Sequence, residues 1–239
     1  MSSVTSTFHH QDGDSCRWIT AGEFREIEDG ICERGFPTEM ELHAVYIDIR
    51  DALDYGNVDF AVAGGYAMNA YGIRRQTGDV DFYFNATDDQ IFTALRALPT
   101  VSIKAGLGTS TAQFRIHFLL STGVFVGVDF RRVPFCISAI DLKLSSNKNV
   151  VLLDDRETRT LKPVQLVNAK LGALHSRRKA DLPTWRDEED IYRLIIGLIS
   201  VEEAHLLNRD IIVKELLLSS SLNRDQKQSL RDLICPDAP

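Results

Sequence analysis

The chain has 239 residues, 44% of them hydrophobic, enough for one sizeable core or for a core with a small helical appendage. Its formal net charge of −7 argues against tight non-specific binding to nucleic acid, which depends on neutralising phosphates with lysine and arginine; a local basic patch stays compatible with RNA recognition. No run approaches the roughly 20 apolar residues that span a bilayer, and Cys16, Cys32, Cys136 and Cys235 lie far apart without C-x-x-C spacing, so no membrane span, zinc site or disulfide framework is expected and the expected location is cytoplasmic.

Residues 1–35 are expected to be a variable, partly disordered segment, opening on a stretch rich in Ser, Thr, His and Asp without periodicity. His9-His10 reads as a solvated feature of that tail, since no other metal ligand accompanies it at suitable spacing. Leu42, Val45, Tyr46, Ile49 and Leu53 recur at helical intervals and predict a helix over 40–53. The apolar, β-prone run 58–63 predicts a buried strand, so Gly64-Gly65 falls where that strand turns, and 66–71 reads as a helix start. Two glycines at such a junction let the backbone approach an anion closely, and a helix start offers unpaired N–H groups to hold it; triphosphate is the anion this suggests.

The next strand alternates cleanly. In Asp79-Val80-Asp81-Phe82-Tyr83-Phe84 the residues Asp79, Asp81 and Tyr83 project to one face and the three apolar residues to the other. Two carboxylates about 7 Å apart along a strand repel by roughly 2 kcal/mol at an effective dielectric of about 20. A divalent cation removes that cost, and hard oxygen ligands with no nearby Cys or His favour Mg²⁺ or Mn²⁺ over zinc.

Helical character follows over 88–98, then extended segments over 101–105 and 112–120. Gly106-Leu107-Gly108-Thr109-Ser110 between them reads better as a hairpin turn than as a second phosphate loop, because it joins two strands and opens no helix. Arg115 and His117 on the second segment fit a cleft or a solvated strand face about equally. The strand 124–130 turns Val124, Val126, Val128 and Phe130 to the core and Asp129 to the other face, beside Gly127, whose missing side chain leaves room for a ligand or a neighbouring backbone. Asp129 is thus a third candidate carboxylate, and three acids on two strands suit two ions roughly 3.5–4 Å apart, as in phosphoryl chemistry.

From residue 162 onward the pattern is helical to the end of the chain. Leu166, Ala169, Leu171 and Leu174, then Ile191, Leu194, Ile195 and Leu198, mark apolar faces, while Lys170, Arg177, Arg178, Lys179 and Arg186 add positive charge of the kind that usually solvates a helix face. Residues 200–234 read as two or three further amphipathic helices without a chemical signature.

Gly64-Gly65, then Arg75-x-Thr77-x-Asp79-x-Asp81, then Asp129 in a later strand resembles the DNA polymerase beta type nucleotidyltransferase superfamily. Within it the paired glycines and the R-x-T-x-D-x-D run are most similar to the abortive-infection-type nucleotidyltransferase toxins. The resemblance continues through Lys170-Leu171, Arg177-Arg178 and Arg186-Asp187-Glu188-Glu189-Asp190-Ile191, the last similar to the K-D-x-x-D-L segment of that group, and covers roughly residues 58–195. Two positions depart from the wider pattern: Gly65 stands where many members carry serine, and Arg186 where the toxin-like group usually has lysine.

The resemblance implies an α+β nucleotidyltransferase fold over 36–158, with a mixed, largely antiparallel sheet flanked by helices, and a helical C-terminal region over 159–239. It implies transfer of a nucleoside monophosphate from a nucleoside triphosphate to a hydroxyl, with release of pyrophosphate. Asp79, Asp81 and Asp129 would be the catalytic and metal-binding acids, with Gly64, Gly65, Arg75, Thr77, Lys170 and Arg178 on the nucleotide. The negative net charge leans toward a small molecule or a protein as acceptor, with tRNA possible as well. The alternative is a nucleotide-binding or protein-interaction module that keeps the fold without turnover.

Overall fold

The computed structural model describes residues 36–95, 98, 104–106, 114–119, 124–132, 150–153 and 156–235. The expectations for residues 1–35, for the turn at 107–110 and for Cys16, Cys32 and Cys136 lie outside the described residues. The described residues divide into two units, the first up to Thr160 and the second from Leu161 onward.

In the first unit, helix α1 (Glu39–Tyr55) starts at a capping box: the Glu41 N–H donates to the Thr38 hydroxyl while the Thr38 N–H donates to the Glu41 carboxylate, at 3.2 and 2.8 Å. Leu42, Val45, Tyr46, Ile49, Ala52 and Leu53 are buried along one face, the stripe the sequence predicts. Strand β1 (Phe60–Ala63) is buried at every position and passes directly into the short helix α2 (Gly64–Ala70), which begins at Gly64 itself, two residues earlier than expected. Strand β2 (Asp79–Phe84) follows, then helix α3 (Asp88–Leu95), β3 (Lys104–Gly106), β4 (Phe114–Leu119) and β5 (Phe125–Arg132).

These five strands make one sheet in the order β1-β2-β5-β4-β3. β2 and β5 run parallel; β1 with β2, β4 with β5 and β3 with β4 are antiparallel. The sheet is therefore mixed and largely antiparallel, as the sequence implies. Its core face carries Val80, Phe82 and Phe84 from β2 and Val126, Val128 and Phe130 from β5, all fully buried. Phe82 stacks on Phe130 with centroids 5.6 Å apart, and Tyr46 of α1 stacks on Phe82 at 6.1 Å. One side of the sheet is thereby packed against α1, and Asp79 and Asp81 of β2 and Asp129 and Arg131 of β5, of opposite parity, are turned to the other side.

A two-stranded ribbon, β6 (Val150–Leu153) with β7 (Arg156–Arg159), completes this unit. The Arg159 N–H donates to the buried Tyr46 hydroxyl at 2.9 Å, and its guanidinium grips both oxygens of Asp54 at 2.6 and 2.8 Å. Thr160 bridges to Val62 of β1 in parallel sense.

The second unit is helical: α4 (Pro163–Lys179), α5 (Trp185–Leu198), a 3₁₀ turn (Ala204–Leu206), α6 (Arg209–Ile212) running into a π turn (Val213–Leu217), and α7 (Arg224–Ile234). α4 begins with proline in its first turn and ends on Arg177, Arg178 and Lys179, cations that suit the partial negative charge of a helix C-terminus. No helix among the described residues is long and apolar enough to cross a membrane.

Candidate active site

The strand register brings the three predicted acids together. Asp81 of β2 lies directly opposite Asp129 of β5, and Asp79 lies opposite Gly127, so all three leave the sheet on the face away from the Phe82–Phe130 stack. The room beside Gly127 is taken by the neighbouring strand: its N–H donates to the Gly78 carbonyl at 3.2 Å, and a Cβ there would sit 3.4 Å from the Asp79 Cβ.

Arg131, two residues beyond Asp129 on the same face, was not among the predicted site residues. Its Nη2 lies 2.7 Å from Asp129 Oδ2 and 2.9 Å from Asp81 Oδ1, and its Nε donates to Asp81 Oδ1 at 3.1 Å. Burial alone would lower the Arg131 pKa; Asp81 and then Asp129 outweigh it and raise the value above that of an ordinary arginine. Asp129 and Asp81 expose only 3% and 14% of their side chains, so the guanidinium is their cation in a partly dehydrated setting. The signal in the sequence is the period-two run Asp129-Phe130-Arg131, which places acid and base side by side on one strand face.

The glycine turn fits around these acids. Gly64 has φ +63°, and a Cβ on it would come within 1.7 Å of Asp81 Oδ2. A Cβ on Gly65 would meet Thr77 Oγ1 at 2.7 Å and Arg75 Nε at 3.0 Å. Each glycine thus makes room for another predicted site residue, a reason for the pair that anion binding alone does not supply. Thr77 is buried and donates its hydroxyl to Asp79 Oδ1 at 2.8 Å, which fixes that carboxylate's direction.

Asn69 also escaped the sequence reading. Its amide accepts from the Arg75 N–H at 2.7 Å and donates to the Arg75 carbonyl at 3.0 Å, clamping the connection between α2 and β2. A buried asparagine on the inner face of a short helix is the sequence-level sign of such a clamp. Arg115 pairs in register with Asp129, and His117 with Gly127.

Lys170 and Arg178 belong to the second unit, where carboxylates engage both charges. Lys170 Nζ is 2.7 Å from Asp190 and 3.4 Å from Asp187. Arg178 donates to Glu188 at 2.7 Å and to the Glu215 carboxylate and carbonyl. Arg186 lies over the Trp185 ring, 5.4 Å from its centroid.

The donor set of Asp79, Asp81 and Asp129 has the hard-oxygen chemistry of a Mg²⁺ or Mn²⁺ site, and a cation already bridges two of the three. In the arrangement seen, no three acidic, histidine or cysteine side chains among the described residues converge on one point. Arg131 bridges Asp81 and Asp129, while the Thr77 hydroxyl engages Asp79.

No protein-family model and no curated protein matches the sequence. Solved structures do. The chain is similar to the antibiotic-resistance factor ANT(2'')-Ia at a TM-score of 0.50 and 14% identity, over 74% of this chain and 94% of that one. It is also similar to an antigenic nucleotidyltransferase-like protein from Paracoccidioides brasiliensis, with a TM-score of 0.43 and 15% identity over 82% and 88% of the two chains. The fold is the α+β nucleotidyltransferase fold.

Proposed function

We propose that this protein is a metal-dependent nucleotidyltransferase, moving a nucleoside monophosphate from a nucleoside triphosphate to a hydroxyl acceptor with release of pyrophosphate. One observation carries the reading: Asp81 and Asp129 face each other on parallel strands, with Asp79 on the same face and a glycine turn fitted against Asp81. Because Gly64-Gly65 and Arg75-x-Thr77-x-Asp79-x-Asp81 resemble the abortive-infection-type pattern, the proposal extends to that branch.

Asp79, Asp81 and Asp129 would hold Mg²⁺ or Mn²⁺. When bound, a divalent ion supplies positive charge against the acceptor oxygen and the departing pyrophosphate. Thr77 keeps Asp79 aimed, Gly64 and Gly65 let backbone N–H groups reach the β- and γ-phosphates, and Arg75 adds charge beside them. Asp129 receives the acceptor's proton. A triphosphate role for Lys170 or Arg178 requires release from Asp190 or from Glu188 and Glu215, so these two come second to the first-unit residues. The acidic net charge favours a small molecule or a protein as acceptor over tRNA, and the expected compartment is the cytoplasm.

A second reading, a nucleotide-binding or interaction module without turnover, draws on Arg131, whose guanidinium bridges Asp81 and Asp129 and offsets part of their charge. Pyrophosphate release separates the two. With each nucleoside triphosphate, Mg²⁺ or Mn²⁺ and cell extract as acceptor source, the wild type should release pyrophosphate and the Asp79→Ala/Asp81→Ala double variant should not. Equal release by both, or none by either, sinks the enzymatic reading.

A further inference from the structure

The guanidinium of Arg131 bridges two of the three acids that would hold a metal ion. It takes Oδ1 of Asp81 and Oδ2 of Asp129. The other oxygen of Asp81 lies against Gly64, close enough that a methyl group there would overlap it. Asp81 therefore turns one oxygen to the guanidinium and the other toward the glycine turn, and an ion that draws on both Asp81 and Asp129 competes with Arg131 for them. A guanidinium and a divalent cation on the same two carboxylates also repel each other, and burial strengthens that repulsion.

We propose that Arg131 is a displaceable resident cation, which bridges Asp81 and Asp129 and competes with a divalent ion for them. This rests on the metal-site reading above and adds to it a barrier to loading: Arg131 swings off Asp81 and Asp129 as the ion arrives. The freed guanidinium, still on the acidic face of β5, is then available to an anionic substrate group. Arg131 acts here as a positioning residue, because it works through the two carboxylates.

The test is Mn²⁺ affinity, measured on the full chain by electron paramagnetic resonance of the free ion, without nucleotide. Arg131→Gln should bind Mn²⁺ at least tenfold more tightly than the wild type, and Mg²⁺ should raise its melting temperature more than the wild type's. Arg131→Lys, which keeps the charge but loses the two-pronged fork, should fall between them and serves if the glutamine variant does not fold. Asp81→Asn should bind more weakly than the wild type in either background. Unchanged or weaker Mn²⁺ binding on removal of the guanidinium overturns the proposal. Pyrophosphate release by the wild type beside that result would leave the nucleotidyltransferase reading standing, whereas tighter binding by Arg131→Gln with no pyrophosphate release would support the displaceable cation and sink the enzyme.

Discussion

At the scale of single residues, the glycine pair was legible in the sequence and its physical reason was not. Two glycines at a strand-to-helix junction announce a close approach, and the sequence suggests an anion as the visitor. The structure shows that Asp81 and Thr77 already come close. Gly64→Ala should destabilise the protein by about 1–3 kcal/mol, from left-handed strain at φ +63° and from overlap with Asp81, and should abolish pyrophosphate release. Gly72 is the control. Its φ is +80° but a Cβ there meets nothing within 4 Å, so Gly72→Ala should cost only about 1 kcal/mol and leave activity intact. Urea denaturation with the pyrophosphate assay checks both, and equal loss in the two variants would refute the packing argument. Arg131 and Asn69 carry no motif of their own, because their roles come from partners that only the fold brings to them, Asp81 across the sheet for Arg131 and the Arg75 backbone for Asn69.

At the scale of elements, alternation revealed β2 and β5 and assigned each its core face, since Phe82 and Phe130 could be buried in only one register of the pleat. It could not reveal that the two strands pair in parallel with Asp81 opposite Asp129, because a period-two pattern fixes a face and carries no information on the partner. The β6–β7 ribbon was not legible at all. Arg156-Glu157-Thr158-Arg159 buries only Thr158, so its strand character comes from pairing and from the anchor that Tyr46 supplies across 113 positions of sequence. Tyr46→Phe tests that anchor. With the acceptor gone, the Arg159 N–H loses its partner beside a fully buried ring, and stability should fall by about 1–3 kcal/mol. Denaturant unfolding measures it, and a change within about 0.5 kcal/mol would mean that the ribbon is not held there.

At the scale of the whole molecule, helical periodicity revealed the second unit as helical but not how its charges are spent. Basic residues on α4 read as a solvated or substrate-facing set, yet Lys170 and Arg178 meet the acids of α5 and the π turn. The acids of α5 lie in the Arg186-Asp187-Glu188-Glu189-Asp190 run, whose family pattern says nothing of its charge balance with α4, and Glu215 of the π turn lies outside any motif. Glu188 shows the consequence for pH. Burial pushes its pKa up, but donors from Ser219, Arg178 and Thr184 outweigh burial and the net shift is downward. A carboxyl whose folded pKa lies below its unfolded value stabilises the fold above the ordinary glutamate range and loses that contribution as pH falls through it. Stability should therefore drop below about pH 4.3, and Glu188→Gln should be less stable than the wild type at neutral pH but less sensitive to acid. Urea midpoints taken across that range test this, and parallel curves for the two proteins would remove Glu188 from the account.

On the proposed function, Asp79, Asp81 and Asp129 would direct attack at the α-phosphorus of a nucleoside triphosphate. The most direct measurement is parallel incubation with α-labelled and γ-labelled nucleoside triphosphates, Mg²⁺ or Mn²⁺ and cell extract, for the wild type and the Asp79→Ala/Asp81→Ala variant. The account predicts that the α label alone moves to an acceptor, and only with the wild type. Transfer of the γ label, or α transfer that survives the double substitution, would contradict it.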